Sequence, residues 1–475
     1  MRYKIRNQIQ VNRKDVQGIV ASGYDHLDHA RFLFLKIVNP VPMKKWLESI
    51  VPLITNAEYP ENKKPDACLN LAFGWKGFEA LGIATKFQDV SHEYTRGMYP
   101  LEARVTLGDS GESDPARWEY GKEESDPLHL LLLLYAITAK ELAAFHQKIC
   151  GSIEFQCGLA VVKQQDSFRR AGDFTEPFGF RDGISQPHVK GLLGRRKRAE
   201  TAIDTGEFVL GYENELGQLT PMLSIENWED PRGYLYDHPE HRGQLRAFGM
   251  NGTYMVFRKL LQKVDNFWNY VGKNSLDTNG AVDNKARELL AAKMVGRWRS
   301  GAPLVLAPEA PEAEPRNDFY FMPTDPDGLA CPIGSHIRRA NPRDSLDMSP
   351  ARSILMSRRH RLIRRGRKYA EQTPDSTADS PKHEQGIYFI ALNADLRRQF
   401  EFIQQLWINN PTVNGLDNDK DPIAGDNDGT CDFTIQKKPI SRHIHGLERF
   451  VVTRGGGYFF VPGIRAVRFL ANYPP

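Results

Sequence analysis

The chain has 475 residues, 40% of them hydrophobic, so it can bury a substantial core, and its length fits two large domains or about three ordinary ones. Its 63 basic and 59 acidic residues leave a charge of +4, too small to call for a polyanionic partner. Five cysteines, Cys68, Cys150, Cys157, Cys331 and Cys431, are widely spaced without a CxxC pair, which argues against a disulfide framework and a zinc ribbon.

In chain order, Met1 to Gln8 lacks the apolar core of a secretory signal, and the longest apolar run, Leu130 to Ile137, is too short to span a bilayer. The expectation is a soluble, cytoplasmic protein without membrane association. Arg31 to Val38 and His129 to Ala136 are apolar and rich in strand formers, so both read as buried strands. Helical spacing runs through Pro42 to Val51, Lys76 to Gly82 and Thr138 to Cys150. A basic stretch, Gly194 to Glu200, marks the crossover to the second half and reads as a solvated linker rather than a nuclear signal. Beyond it, Gly252 to Lys259 predicts a strand, Leu260 to Tyr270 and Asn284 to Val295 helices, Gly386 to Leu392 and Phe450 to Val461 strands, with a helix over Ala394 to Trp407. Pro308 to Asp318 and Glu371 to Glu384 predict surface loops. Alternating strands and helices make the fold class α+β. Asn251-Gly252-Thr253 is a glycosylation sequon that matters only in a secreted protein.

Three segments carry chemistry. In Phe178-Gly179-Phe180-Arg181-Asp182-Gly183-Ile184-Ser185-Gln186-Pro187, two glycines free the backbone for positive φ and would present the Asp182 carboxylate at the tip of a turn facing a cavity. The same local sequence also reads as an ordinary turn with a solvated acid. Cys331-Pro332-Ile333-Gly334-Ser335-His336-Ile337-Arg338-Arg339-Ala340-Asn341-Pro342-Arg343 sets a lone histidine before basic residues and between prolines. Leu362-Ile363-Arg364-Arg365-Gly366 lies in a run, Arg358 to Lys368, with seven Lys or Arg, which by itself reads as a solvated basic face. His443-Ile444-His445 with Cys431 upstream could be imagined as a zinc site, but no fourth ligand is suitably spaced.

Together, and in this order, the three segments resemble the GxxDG, proximal-histidine and distal-arginine motifs of the dye-decolourising peroxidases, longer-chain branch. The likeness extends to Val16 to Val20 and Ala30 to Ile37 as the opening strand region, Phe208 to Tyr212 and Asn251 to Leu260 as entry to the second domain, and Gly456 to Gly463 as the closing strand. It implies two ferredoxin-like domains, residues 1–195 and 196–475, each an antiparallel β-sheet with peripheral helices, and haem in the C-terminal domain. It also implies a peroxidase that reduces hydrogen peroxide to water through a ferryl and porphyrin-radical intermediate and oxidises dyes, phenols or other one-electron donors.

Carried over residue by residue, His336 is the axial ligand of the haem iron, Arg338 a propionate partner, Asp182 the proton shuttle and Arg364 the cation that stabilises the departing oxygen. Asp421, in Lys420-Asp421-Pro422, is the acid behind the histidine, chosen from a loop that also holds Asp417, Asp419, Asp426 and Asp428. Ile387 and Phe389 form an apolar wall over the haem. No CxxCH occurs, so the haem is expected to be haem b, non-covalent, one per chain. The rival readings are a haem carrier, sensor or iron-releasing protein on the same fold, and a nucleic-acid-binding protein using the basic runs; the resemblance calls for no nucleic-acid partner.

Overall fold

The computed structural model describes residues 10–58, 64–122, 127–170, 172–192, 202–372 and 383–474. The basic linker predicted at Gly194 to Glu200 lies outside the described residues, as does most of the loop predicted between Glu371 and Glu384.

The first half reads β1 (His29–Ile37), α1 (Pro40–Ile50), β2 (Ala67–Phe73), β3 (Leu130–Ala136), α2 (Ala139–Cys150) and β4 (Leu159–Phe168). Local chemistry sets the helix starts. Asn39 accepts from the Val41 N–H ahead of Pro40, and Thr138 and Glu141 form a reciprocal capping box. Every residue of the leucine-rich β3 is buried, because β3 lies between β1 and β2 within the sheet.

The second half repeats the plan with β5 (Thr253–Gln262), α3 (Val264–Lys273), α4 (Asn284–Val295), α5 (His336–Ala340), the two-residue β6 (Ile363–Arg364), β7 (Arg367–Gln372), β8 (His383–Asn393) and β9 (Val451–Val461). The strand order is β7-β8-β5-β9-β2-β3-β1-β4, with β6 pairing β8. It divides into two four-stranded antiparallel sets, each ordered as in a ferredoxin-like unit and joined edge to edge where Phe460 of β9 pairs with Phe73 of β2. The end strands also meet: Ser167 of β4 donates to the Lys368 carbonyl of β7 at 2.7 Å. Phe32 of β1 packs edge-on against Phe257 of β5, with ring centres 5.4 Å apart, so the two sets share one aromatic core.

Several sequence expectations need correction. Val16 to Val20 is not strand: Gly18–Ala21 is a short helix, and the Gln17 amide bonds the N–H and carbonyl of Leu71, so the segment crosses β2 instead of pairing along it. β5 continues to Gln262, where Leu260 and Leu261 still pair with both β8 and β9, and α3 begins only at Val264. Ala394 to Trp407 holds wide π-helical turns at Arg397–Glu401 and Ile403–Ile408 rather than a regular α-helix. Glu371 and Glu384, assigned to a loop, are cross-strand partners in β7 and β8; Lys259 lies 2.7 Å from the first and 3.6 Å from the second and offsets their repulsion. Asn251 is buried, bonded to Tyr212 and Asp15, so the sequon is not an accessible acceptor.

Candidate active site

A cavity of about 340 Å³ opens between the GxxDG loop, α5, β6 and β8, and falls within the usual size range of small-molecule sites. Asp182, His336, Arg364, Ile387 and Phe389 all line it.

The turn at 176–183 is built as its glycines suggest: φ is +98° at Gly179 and +79° at Gly183. Its strut is Glu176, whose carboxylate accepts from the backbone N–H groups of Phe178 (3.0 Å) and Phe180 (2.8 Å) and from the Gln262 amide (2.6 Å). Asp182 is anchored by its own N–H to the Phe174 carbonyl, and its Oδ1 accepts from the Gly183 N–H at 2.6 Å and from Arg364 Nη1 at 3.0 Å. Desolvation by the cavity walls pushes the Asp182 pKa up, but Arg364, the Gly183 N–H and His336 together outweigh it and hold the carboxyl below its ordinary range. Arg365 turns the other way, to the carbonyls of Ile19 and Val20, so Arg364 is the member of the pair that reaches the cavity.

On β8 the two-residue alternation places Ile387 and Phe389 toward the cavity and Tyr388 and Ile390 into the core. His336 opens α5, and its Nδ1 lies 2.9 Å from Asp421 Oδ2 and 3.1 Å from Oδ1. Asp421 is fully buried, and its Oδ1 also accepts from the N–H groups of Ile423 and Ala424. Burial opposes charge on the imidazole, yet Asp421 and Asp182 together outweigh it and raise the His336 pKa; His336, the Ala424 N–H and Arg339 likewise hold Asp421 low against its own burial. A proton on Nδ1 facing Asp421 leaves the Nε2 lone pair available as a ligand. Of the neighbouring acids, Asp419 is taken by Thr434 and Asp426 by Lys420, so geometry singles out Asp421.

Arg338 does not reach the cavity. Two residues on a helix lie about 200° apart, so facing His336 into the cavity turns Arg338 away from it. Its guanidinium is 2% exposed and donates to the carbonyls of Asp325 (3.0 Å), Cys331 (3.0 Å) and Pro326 (3.1 Å). The cations that do line the cavity include Arg297, Arg343 and Arg361, which the motif reading missed. Burial pushes their pKa values down to about 10, about 9 and about 10, and none has an ion-pair partner among the described residues. The available signals were Arg343 at the end of the histidine segment and the density of arginines in Arg358 to Lys368, which folds inward: Arg358 pairs with Glu215, and Arg367 donates to the carbonyls of Tyr24 and Leu27. The basic face required by a nucleic-acid reading is therefore not formed by this run. His443 and His445 bond Thr434 and Asp432, and no cluster of three potential metal ligands occurs among the described residues.

A dye-decolorizing peroxidase from Exidia glandulosa is 30% identical to this chain over 484 residues, spanning 96% of this chain and 86% of the relative. The chain belongs to the dye-decolourising peroxidases. It is an oxidoreductase acting on hydrogen peroxide, in a family of haem enzymes. A fungal DyP-type peroxidase structure from Auricularia auricula-judae superposes with a TM-score of 0.77 at 25% identity, covering 98% of this chain and 100% of that one. A solved dye-decolorizing peroxidase in complex with 2,6-dimethoxyphenol gives the same TM-score and identity over 97% of this chain. No family model matches the chain. The relatives matching across the whole chain are named peroxidases, so the carrier or iron-releasing alternative is not favoured.

The cavity fits haem on its own terms: an imidazole nitrogen free for iron, apolar walls from Phe178, Phe180, Ile387 and Phe389, and partly buried guanidinium groups lacking an anion among the described residues. The Arg361→Ala variant is expected to bind haem about tenfold more weakly in a Soret titration, the loss of one charge-assisted contact. Arg338→Ala should instead lower stability, by about 3–5 kcal/mol if the buried carbonyls and Asp325 are left unpaired, with haem affinity little changed. A reversed pattern would restore Arg338 as the propionate partner.

Proposed function

We propose that this chain binds one haem b non-covalently, with His336 on the iron, and uses Asp182 and Arg364 to cleave hydrogen peroxide at the expense of dyes, phenols or other one-electron donors. The observation that carries the reading is the 3.0 Å Arg364–Asp182 pair lining the same cavity as the Asp421-backed His336. Haem, when bound, supplies the iron that takes up peroxide and holds its two oxidising equivalents.

The residues do the rest. Asp182, ionised because Arg364 holds its pKa low, accepts the proton of the nearer peroxide oxygen and returns it to the farther one, which leaves as water. Arg364 stabilises the negative charge that develops on that leaving oxygen. Asp421 orients the imidazole and makes it a stronger donor. Ile387 and Phe389 contribute an apolar wall that limits water near the reacting atoms. A smaller pocket of about 130 Å³ abuts the pair, sharing Asp182 and Arg364 with the main cavity, and offers peroxide a polar approach. Two electrons from the donor complete the balance: H2O2, two protons and two electrons give two waters.

The phenolic donor class is supported by the relative captured with 2,6-dimethoxyphenol. The division into units 1–195 and 196–475 is supported by strands at His29–Phe168 and Thr253–Val461, with the boundary between them. A cytoplasmic location is supported by five free cysteines, four of them buried. No helix among the described residues is long and apolar enough to cross a membrane. The test is reconstitution: haem should titrate to one equivalent per chain, extract into acidic organic solvent, and confer peroxide-dependent oxidation of 2,6-dimethoxyphenol. Haem that resists extraction would overturn the non-covalent assignment, and a holoprotein without turnover would overturn the peroxidase mechanism.

A further inference from the structure

β6 is only two residues long and pairs with β8 on one side, Arg364 opposite Ala391. On its other side no strand pairs with it among the described residues. There the Gln186 side chain takes the place of a strand: its Oε1 accepts from the Arg364 N–H at 3.1 Å and its Nε2 donates to the Arg364 carbonyl at 3.0 Å. Gln17 makes the same two bonds to a single residue, Leu71, at the heart of the first half, so the arrangement recurs in this chain as a way of fixing a backbone position. Gln186 lies four residues after Asp182 on the same loop, and that loop is held at its other end by Glu176 and through it to Gln262 of β5.

The loop therefore grips Arg364 twice, by the Asp182 carboxylate on the guanidinium and by the Gln186 amide on the backbone. We propose that Gln186 is a positioning residue that fixes the Arg364 guanidinium in register with Asp182, so that the proton acceptor and the charge-stabilising cation move as one unit. This rests on the peroxidase reading above. The physical reason is reach: an arginine side chain has many rotamers, and only a fixed backbone keeps its Nη1 within 3.0 Å of a loop carboxylate from another part of the chain.

Gln186→Met fills similar space, cannot donate and accepts only weakly, whereas Gln186→Glu keeps the acceptor for the Arg364 N–H and loses the donor. The probe is fluoride binding to the ferric holoprotein, an equilibrium readout of an oriented cation beside the iron that a merely structural role would not move. Arg364→Leu should weaken fluoride about tenfold or more, the loss of one charge-assisted hydrogen bond. Gln186→Met should weaken it about fivefold with unchanged haem content and melting temperature, and Gln186→Glu by less. If Gln186→Met binds fluoride like wild type while Arg364→Leu does not, the positioning role is overturned and the peroxidase reading stands. If Arg364→Leu is also like wild type, the reading of Arg364 itself fails. Should the methionine variant not fold, the glutamate variant decides: wild-type fluoride affinity there overturns the proposal.

Discussion

Replacing His336 with alanine is expected to remove the proposed iron ligand and weaken haem binding by on the order of a hundredfold or more, because among the described residues no other imidazole lining the cavity has a buried carboxylate behind it. The His336 ring is held by two contacts to Asp421, and Asp421 is itself held by two backbone N–H groups, so the protein alone fixes the ring in place. Asp421→Asn should be the milder change. It keeps the shape, loses the anion, and is expected to cost about tenfold to a hundredfold in affinity, the usual effect of an outer partner. A Soret titration of the three proteins measures both; a His336→Ala protein with the wild-type spectrum and full haem content would remove His336 from the site.

The second large effect concerns Asp182 and Arg364, and its sign follows from their pairing. A proton acceptor works while ionised, so its reaction falls off as pH drops through its pKa. Desolvation raises the Asp182 pKa, and Arg364, the Gly183 N–H and His336 together lower it by more, so wild-type Asp182 keeps working to lower pH than an unpaired carboxylate in the same cavity would. Arg364→Leu removes the largest lowering influence and leaves the desolvation. The acid limb of the reaction with peroxide should therefore move to higher pH, and the plateau rate fall about tenfold to a thousandfold. Asp182→Asn should lose the limb altogether and slow the reaction by on the order of a hundredfold to ten-thousandfold. Stopped-flow mixing with peroxide across pH reads all three. An unchanged rate and profile in Asp182→Asn would return Asp182 to a structural turn residue.

The sequence made the strands legible where apolar runs were long. The leucines of β3 have no polar face, and a strand buried on both sides is the one element such a run can make in a sheet this wide. Gly179 and Gly183 announced positive φ because few other residues tolerate it. What the sequence hid depended on tertiary context. Glu371 and Glu384 read as loop by composition, yet Lys259 from a neighbouring strand makes them a tolerable cross-strand pair. Arg338 followed from its place beside His336, but helix periodicity turns it to the opposite side, where four oxygens of the 325–331 turn receive it. Arg343 and Arg361 lie 7 and 25 residues from His336, and only the fold brings them to the same cavity. Gln186 stands in the Asp182 segment without a role that its neighbours would suggest; its partner, the backbone of Arg364, is 178 residues away.

The most direct measurement is the absorption spectrum of the purified holoprotein before and after one equivalent of hydrogen peroxide. The account predicts a Soret band of histidine-ligated ferric haem that is lost or shifted on mixing and returns to its starting form when two equivalents of a one-electron donor are added. A protein that takes up no haem, or a ferric band that stays unchanged after peroxide, would contradict it.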